Sequence, residues 1–298
     1  MNIFSHRIKF VIIFCLFIGF SFLAGGYIAP RPQAATTAQA TDSSALPGWN
    51  LVWNDEFNGP EGNPPDQTKW EYDLGGHGWG NNELQYYTSH PTNVATNGEG
   101  SLVITANEVD KHVSSGMDCW YGPCQFTSAR LLTKGKFAFT YGRIEARMKL
   151  PHGQGMWTGF WMMGANIDQI HWPNSGEIDI IENIGKEPDI VHGTVHGPGY
   201  SGQNSIGQKY TLPSGEFADD FHVFAVEWEP EEIRWYVDDH QYFSVTPDSV
   251  TGEWVFNHPF FILINLAIGG RWPGSPDHTT VFPQPLQIDF IRVYEQIK

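Results

Sequence analysis

The chain has 298 residues, of which 33 are acidic and 17 basic, giving a formal charge of −16. Charged residues are only 17% and aromatics 14%, with 32 Gly and 20 Pro. So many rings exclude a disordered chain, and the excess of acids excludes a nucleic-acid binder, which needs Lys and Arg for the phosphates. Few charges and many turn residues suit a large β-domain that faces an uncharged partner.

Residues 1–9 carry Arg7 and Lys9 and no acid, and Phe10 to Ala24 is almost entirely apolar. A charged start before an apolar run of this length reads as a secretory signal. Ala38-Gln39-Ala40 offers a small-x-small cleavage site, so residues 1–40 are assigned to the signal, 41–49 to a linker and 50–298 to one domain. The alternative is an uncleaved membrane anchor; Cys15, inside the apolar run, lacks the small-residue setting of a lipoprotein site. Cleavage would remove Arg7, Lys9 and Arg31 and no acid, moving the formal charge from −16 to −19. The expected product is an extracellular monomer, poorly suited to anionic polymers.

Beyond the linker, short strand patterns recur between turn residues. They cover Ser101–Asn107, Lys136–Tyr141, Arg143–Leu150, Phe221–Glu229, Ile233–Val237, Gln241–Val245 and Gln287–Tyr294. The apolar run Phe260–Leu266 fits a strand buried on both faces. Only Ser214–Asp220 suggests a helical turn. The expected fold class is all-β, with two antiparallel sheets packed face to face. Cys119 and Cys124 bracket CWYGPC. In an exported protein this pair reads as a local disulfide, with two free thiols as the alternative; a metal site would need ligands from a second pair.

The chemistry is concentrated in Gly176-Glu177-Ile178-Asp179-Ile180-Ile181-Glu182. Strict alternation puts Glu177 and Asp179 on one face and Ile178 and Ile180 on the other. The pattern then slips by one, and a β-bulge would return Glu182 to the face of the other two acids. Three carboxylates in a row repel, so a task is implied. Retaining glycoside hydrolysis needs one ionised carboxylate and one protonated carboxyl about 5–5.5 Å apart. Four strand rises of ~3.3 Å separate the two glutamates at the backbone by roughly 13 Å, so sheet bending and side-chain lean must close the gap. Asp179 and its neighbours would keep Glu182 protonated until Glu177 is esterified.

A neutral sugar chain presents apolar ring faces and hydroxyl edges. Candidate contacts are Trp172, Trp157 and Trp161 (the last two on one strand face), Trp79 and Asn81 in a Gly-rich loop, Arg130, and His196. His192 and His196 are four apart in VHGTVHG, which as a strand spans about 13 Å and cannot serve one metal. No phosphate loop, dinucleotide fingerprint or nucleophile-elbow serine is evident, so neither nucleotide nor nucleic acid is expected as a partner.

The stretches WNDEF (53–57), WGNNELQYYT (79–88), GRIEARMKLP (142–151), GFWMMG (159–164), WPNSGEIDIIENIG (172–185), HGTVHG (192–197), FHVFAVEWEPEEIRWYVDD (221–239), NLAIGGRWPG (265–274) and IDFIRVYE (288–295) closely resemble family 16 glycoside hydrolases. The resemblance is to the bacterial laminarinase, or endo-1,3-β-glucanase, branch. It implies a β-jelly-roll with a concave cleft, net retention, Glu177 as nucleophile, Glu182 as acid/base and Asp179 as assisting acid. It implies no catalytic cofactor and a structural calcium held by Glu56, the Gly100 carbonyl and Asp289. Two departures bear on specificity: Asn183-Ile184 follows the second glutamate where an aromatic is common, and GGRWPG replaces GGNWPG. Alternatives are a mixed-linkage glucanase or galactanase on the same fold, and a non-catalytic β-glucan-binding protein.

Overall fold

The computed structural model describes residues 46–109 and 116–297. The expected signal segment, residues 1–40, lies outside the described residues, as does most of the linker; Trp49, placed in that linker, already opens the strand Trp49–Asp55. Two large sheets dominate. The seven-stranded sheet is built from β1 (Glu71–Tyr72), β2 (Arg130–Leu132), β3 (Met156–Gly164), β4 (Glu177–Ile184), β5 (Ile190–His196), β6 (Ile206–Thr211) and β7 (Phe260–Ile268). Its spatial order is β6-β5-β4-β3-β7-β2-β1. The ten-stranded sheet is centred on Gly142–Lys149, which lies between His222–Glu229 and Gln284–Gln296. Strand pairing is antiparallel except where Gln85–Tyr87 runs parallel to Phe126–Ser128, and an isolated parallel bridge joins Gly76 to Cys119. This is the all-β sandwich expected.

The core lies between the sheets. Phe160, Met162, Ile178, Ile262, Ile264 and Leu266 point into it from one side, and Ile144, Ala146, Phe224, Val226 and Trp235 are buried with them. Strand alternation then sends Trp157, Trp161 and Met163 of β3 to the open face. All nine residues of β7 are buried, as its unbroken apolar run predicts. Its open-face residues Phe261 and Leu263 join Leu132 in a small second cluster against Trp161, Met163 and Ile167.

Two expectations need correction. Lys136–Tyr141 is not a strand: Lys136 N–H and Phe137 N–H bond back to the Thr133 carbonyl in a turn, and only Phe139 bridges, to Phe260. Its alternating rings pack rather than ladder, Phe137 stacking on Trp53 and Phe139 meeting Trp228 edge-on. Ser214–Asp220 holds hydrogen-bonded turns but no helix. The helix present among the described residues, apart from 3₁₀ turns, is Ile167–Ile170, with no buried residue. Such a segment carries no apolar period for sequence reading to detect.

Candidate active site

On β4 the pairing with β3 runs Glu177 to Met163 and Asp179 to Trp161, then shifts so that Ile181 faces Phe160 and Glu182 faces Gly159. Ile180 is the extra residue. The pairing with β5 breaks at the same place, between Asp179 and Glu182. Ile180 and Ile181 are both in the core, at 1% and 0% exposure. Two consecutive apolar side chains can share one side of a strand only across a bulge. The bulge therefore returns Glu182 to the open face, as the sequence slip predicts. A bulge also disrupts the ladder, and here Trp235 compensates: its Nε1–H reaches from the opposite sheet to donate to the Asp179 carbonyl at 2.8 Å. Gly193 on β5 leaves room for that indole, because a Cβ there would sit 2.5 Å from Trp235 Cδ1. Sequence reading missed Trp235; a glycine between the two histidines was its faint trace.

The three acids meet different partners. His196 Nε2 lies 3.2 Å from Asp179 Oδ2 and 3.8 Å from Glu177 Oε1. The Gly202 N–H donates to His196 Nδ1 at 3.1 Å, so the neutral ring carries its proton on Nε2, toward the acids. Trp172 stands beside Glu177, and the Trp172 and His196 rings lie 5.9 Å apart. Trp157 Nε1–H donates to Glu182 Oε1 at 3.2 Å. His192 pairs across the strand with Glu182, as His196 does with Glu177. The two histidines thus lie opposite different ends of the trio.

Burial is the main cause of the electrostatics here. It lifts Glu177 to about 8 and Asp179 to about 7, with the Asp179 charge adding to the rise at Glu177. Glu182 is pushed well above the ordinary carboxylate range, by burial first and then by the charge of Asp179. Carboxyls this close do not all ionise at neutral pH. The site therefore stores protons beside an acceptor carboxylate, which is what acid-assisted bond cleavage requires.

A polar and aromatic floor extends sideways from the trio. Trp161 Nε1–H donates to Asn265 Oδ1 at 2.9 Å on β7, and Asn265 pairs with Arg130 on β2. The Arg130 guanidinium lies between the rings of Trp79 and Trp161, 4.8 and 4.9 Å from their centroids, and pairs with Asp73 at 2.9 Å. Asn81, exposed in the same loop as Trp79, donates to Glu83 at 3.3 Å. At the Glu182 end, Trp272 meets Trp157 and His192 edge-on. Neither Asn265 nor Trp272 stood out from the sequence, since Asn265 joins the site through cross-strand pairing and Trp272 through ring contacts made from a turn. Cys119 and Cys124 are joined in a disulfide.

The expected calcium set does not fit. Arg292 clamps Glu56 with hydrogen bonds of 2.8 and 2.7 Å, and Asp289 pairs with Arg147 at 2.7 Å. Both carboxylates already face a guanidinium, whereas a hard cation needs free oxygen ligands. Gly100 lies in a turn organised by Asn97, whose side chain accepts the Glu99 and Ser101 N–H groups.

The model of the family described as "Glycosyl hydrolases family 16" matches residues 81–292. A "Beta-glucanase" of Rhodothermus marinus is 41% identical over 86% of this chain and 88% of its own length. Among solved structures, the laminarinase catalytic domain of Thermotoga maritima MSB8 is 45% identical, with a TM-score of 0.76 over 84% of this chain and 99% of that one. The endo-β-1,3-glucanase of Pyrococcus furiosus is 46% identical, with a TM-score of 0.77 over 84% of this chain and 95% of that one. With a bulged strand carrying the acidic trio, and that match spanning most of the chain, this protein belongs to glycosyl hydrolase family 16.

Proposed function

We propose that the protein is an exported, monomeric endo-β-glucanase that cleaves internal β-1,3 linkages of laminarin-type glucans with net retention. The observation that carries this reading is the bulge at Ile180, which gathers Glu177, Asp179 and Glu182 on one face. In the enzyme form with Glu177 ionised and Glu182 still protonated, Glu177 attacks the anomeric carbon while Glu182 gives its proton to the departing glycosidic oxygen. The product is a glycosyl ester on Glu177 and a free hydroxyl on the leaving chain. Esterification removes one negative charge from the trio, so Glu182 gives up protons more readily in the second step. As base it takes a proton from water, which attacks the anomeric carbon and frees Glu177. Asp179, on the same face as Glu177 and 3.2 Å from His196 Nε2, orients the nucleophile and, when it carries a proton, donates it to Glu177 and spreads the charge there. Every group in this cycle comes from the protein or from water.

The substrate class is supported by the floor of indoles with few free charges, and by the names of the similar proteins, which are a β-glucanase, a laminarinase and an endo-β-1,3-glucanase. Export is supported by the sequence of residues 1–40 alone. The test is product analysis on laminarin, lichenan, agarose and xyloglucan side by side, with NMR of the first anomer released. Laminarin should be the best substrate and the new reducing end should be β. Glu177→Gln and Glu182→Gln should each abolish turnover while keeping the native circular-dichroism spectrum. An initial α anomer, or turnover retained in either variant, would overturn the mechanism.

A further inference from the structure

The segment around Cys119–Cys124 has no part in the trio or its floor. It forms a two-stranded hairpin, Asp118–Cys119 with Gly122–Pro123, closed by the disulfide. This hairpin is tied to the Gly-rich loop that carries Trp79. Trp120 N–H donates to the Gly76 carbonyl at 2.9 Å, its indole Nε1–H to the Glu83 carbonyl at 2.8 Å, and the Tyr121 hydroxyl to the Leu84 carbonyl at 2.6 Å. The indole also lies against the backbone of Gly78, where a Cβ would approach Trp120 Cδ1 to 2.9 Å.

Trp120 is nevertheless 51% exposed. Only Trp172, at 44%, joins it among the large exposed tryptophans of the described residues, and Trp172 stands beside the trio. A ring this large, fixed by hydrogen bonds and a disulfide yet open to water, is an unsatisfied apolar surface held in place. It also adjoins the loop that supplies Trp79 to the cleft floor. From β4 the floor crosses β3 and β7 to Arg130 on β2, three strand spacings of ~4.8 Å, or roughly 14 Å. Trp79 caps Arg130, and the Trp79 loop is the one against which Trp120 rests.

We propose that Trp120 is a remote sugar-stacking platform, a subsite that a long β-glucan reaches several rings away from the scissile bond and a short oligosaccharide does not. The disulfide hairpin is its mount. Extra binding energy at such a distance selects polymer over oligomer without touching the reacting atoms. This inference rests on the glucanase reading above.

The experiment compares full-length wild type, Trp120→Ala, Trp120→Phe and the double variant Cys119→Ser/Cys124→Ser on laminarin and on laminaritriose. In Trp120→Ala the ratio of kcat/KM on laminarin to that on laminaritriose should fall about tenfold, through KM, equivalent to about 1.4 kcal/mol of lost stacking. Trp120→Phe should restore most of the ratio, and the double cysteine variant should lower it as Trp120→Ala does. A ratio unchanged in Trp120→Ala, or parallel losses on both substrates, would overturn the subsite and leave the glucanase reading intact. Failure of the wild type on both substrates would overturn the glucanase reading itself, and the subsite with it.

Discussion

Trp157, on β3, donates its indole N–H to Glu182 on the neighbouring strand β4, at 3.2 Å. This bond favours the ionised form of a carboxyl that burial and the Asp179 charge hold protonated. It is thus a brake on an upward shift that otherwise has few opponents. Replacing Trp157 by Phe keeps a ring against Trp272 but deletes the donor. The Glu182 proton should then be held more tightly, and the acid form should persist to higher pH. In the pH dependence of kcat/KM, which reports the free enzyme's acid and base, the alkaline limb should move upward. An alkaline limb that stays put or moves down would show that this hydrogen bond does not tune the acid.

The trio also makes stability depend on pH. All three carboxyls bind protons more tightly in the folded protein than in the unfolded chain. Their stabilising effect is therefore complete below the ordinary carboxylate range and is lost as pH rises through about 7 and 8, the folded values of Asp179 and Glu177. Urea midpoints of wild type and Glu177→Gln should diverge across this window. The variant lacks one of the titrating acids and relieves the repulsion on the others, so its midpoint should fall less between mildly acidic and mildly alkaline buffer. A constant gap between the two proteins at every pH would contradict this linkage.

The part of the site legible in the sequence is the part written in local periodicity. Alternation placed Glu177 and Asp179 together, and the slip at Ile180-Ile181 announced the bulge, because both features depend on the strand's own two-residue period. Trp157 and Trp161 share a face for the same reason. What local period cannot encode is a partner distant in the chain: Trp235, on the opposite sheet, meets Asp179 across 56 positions, and Asn265, on the neighbouring strand, meets Trp161 across 104. The opposite error arose at Lys136–Tyr141, where alternating rings look like a strand but serve as packing for Trp53 and Trp228. The calcium reading came from resemblance alone; Arg292 and Arg147 occupy the carboxylates it needed.

The Trp235 support predicts a cost that reaches the chemistry from a distance. Trp235→Phe leaves the buried Asp179 carbonyl without its indole donor, a loss of about 1–3 kcal/mol in stability. The same carbonyl sits where the strand must bend, so the bulge should relax and the trio lose alignment. The expected result is a kcat reduced more than tenfold at temperatures where the variant is fully folded, with KM little changed. Thermal unfolding and steady-state kinetics on one preparation check this. A variant that is destabilised but retains wild-type kcat below its melting range would confine Trp235 to packing.

Arg130 is the residue on which the two outer indoles converge. Its guanidinium is flanked by Trp79 and Trp161 and held by Asp73, so it fixes both rings and the spacing between them. Two cation–π contacts, each worth about 0.5–1 kcal/mol at partly exposed sites, should raise KM for glucan by roughly 5- to 30-fold when Arg130 is changed to Ala. Because Arg130 lies three strands from β4, kcat should change by less than about twofold, since an interaction present equally in ground state and transition state moves KM alone. Arg130→Lys keeps the charge opposite Asp73 but not the planar fork that stacks on both rings. It should therefore resemble Ala more than wild type. A lysine variant with wild-type KM would mean that charge, rather than ring alignment, is what Arg130 contributes.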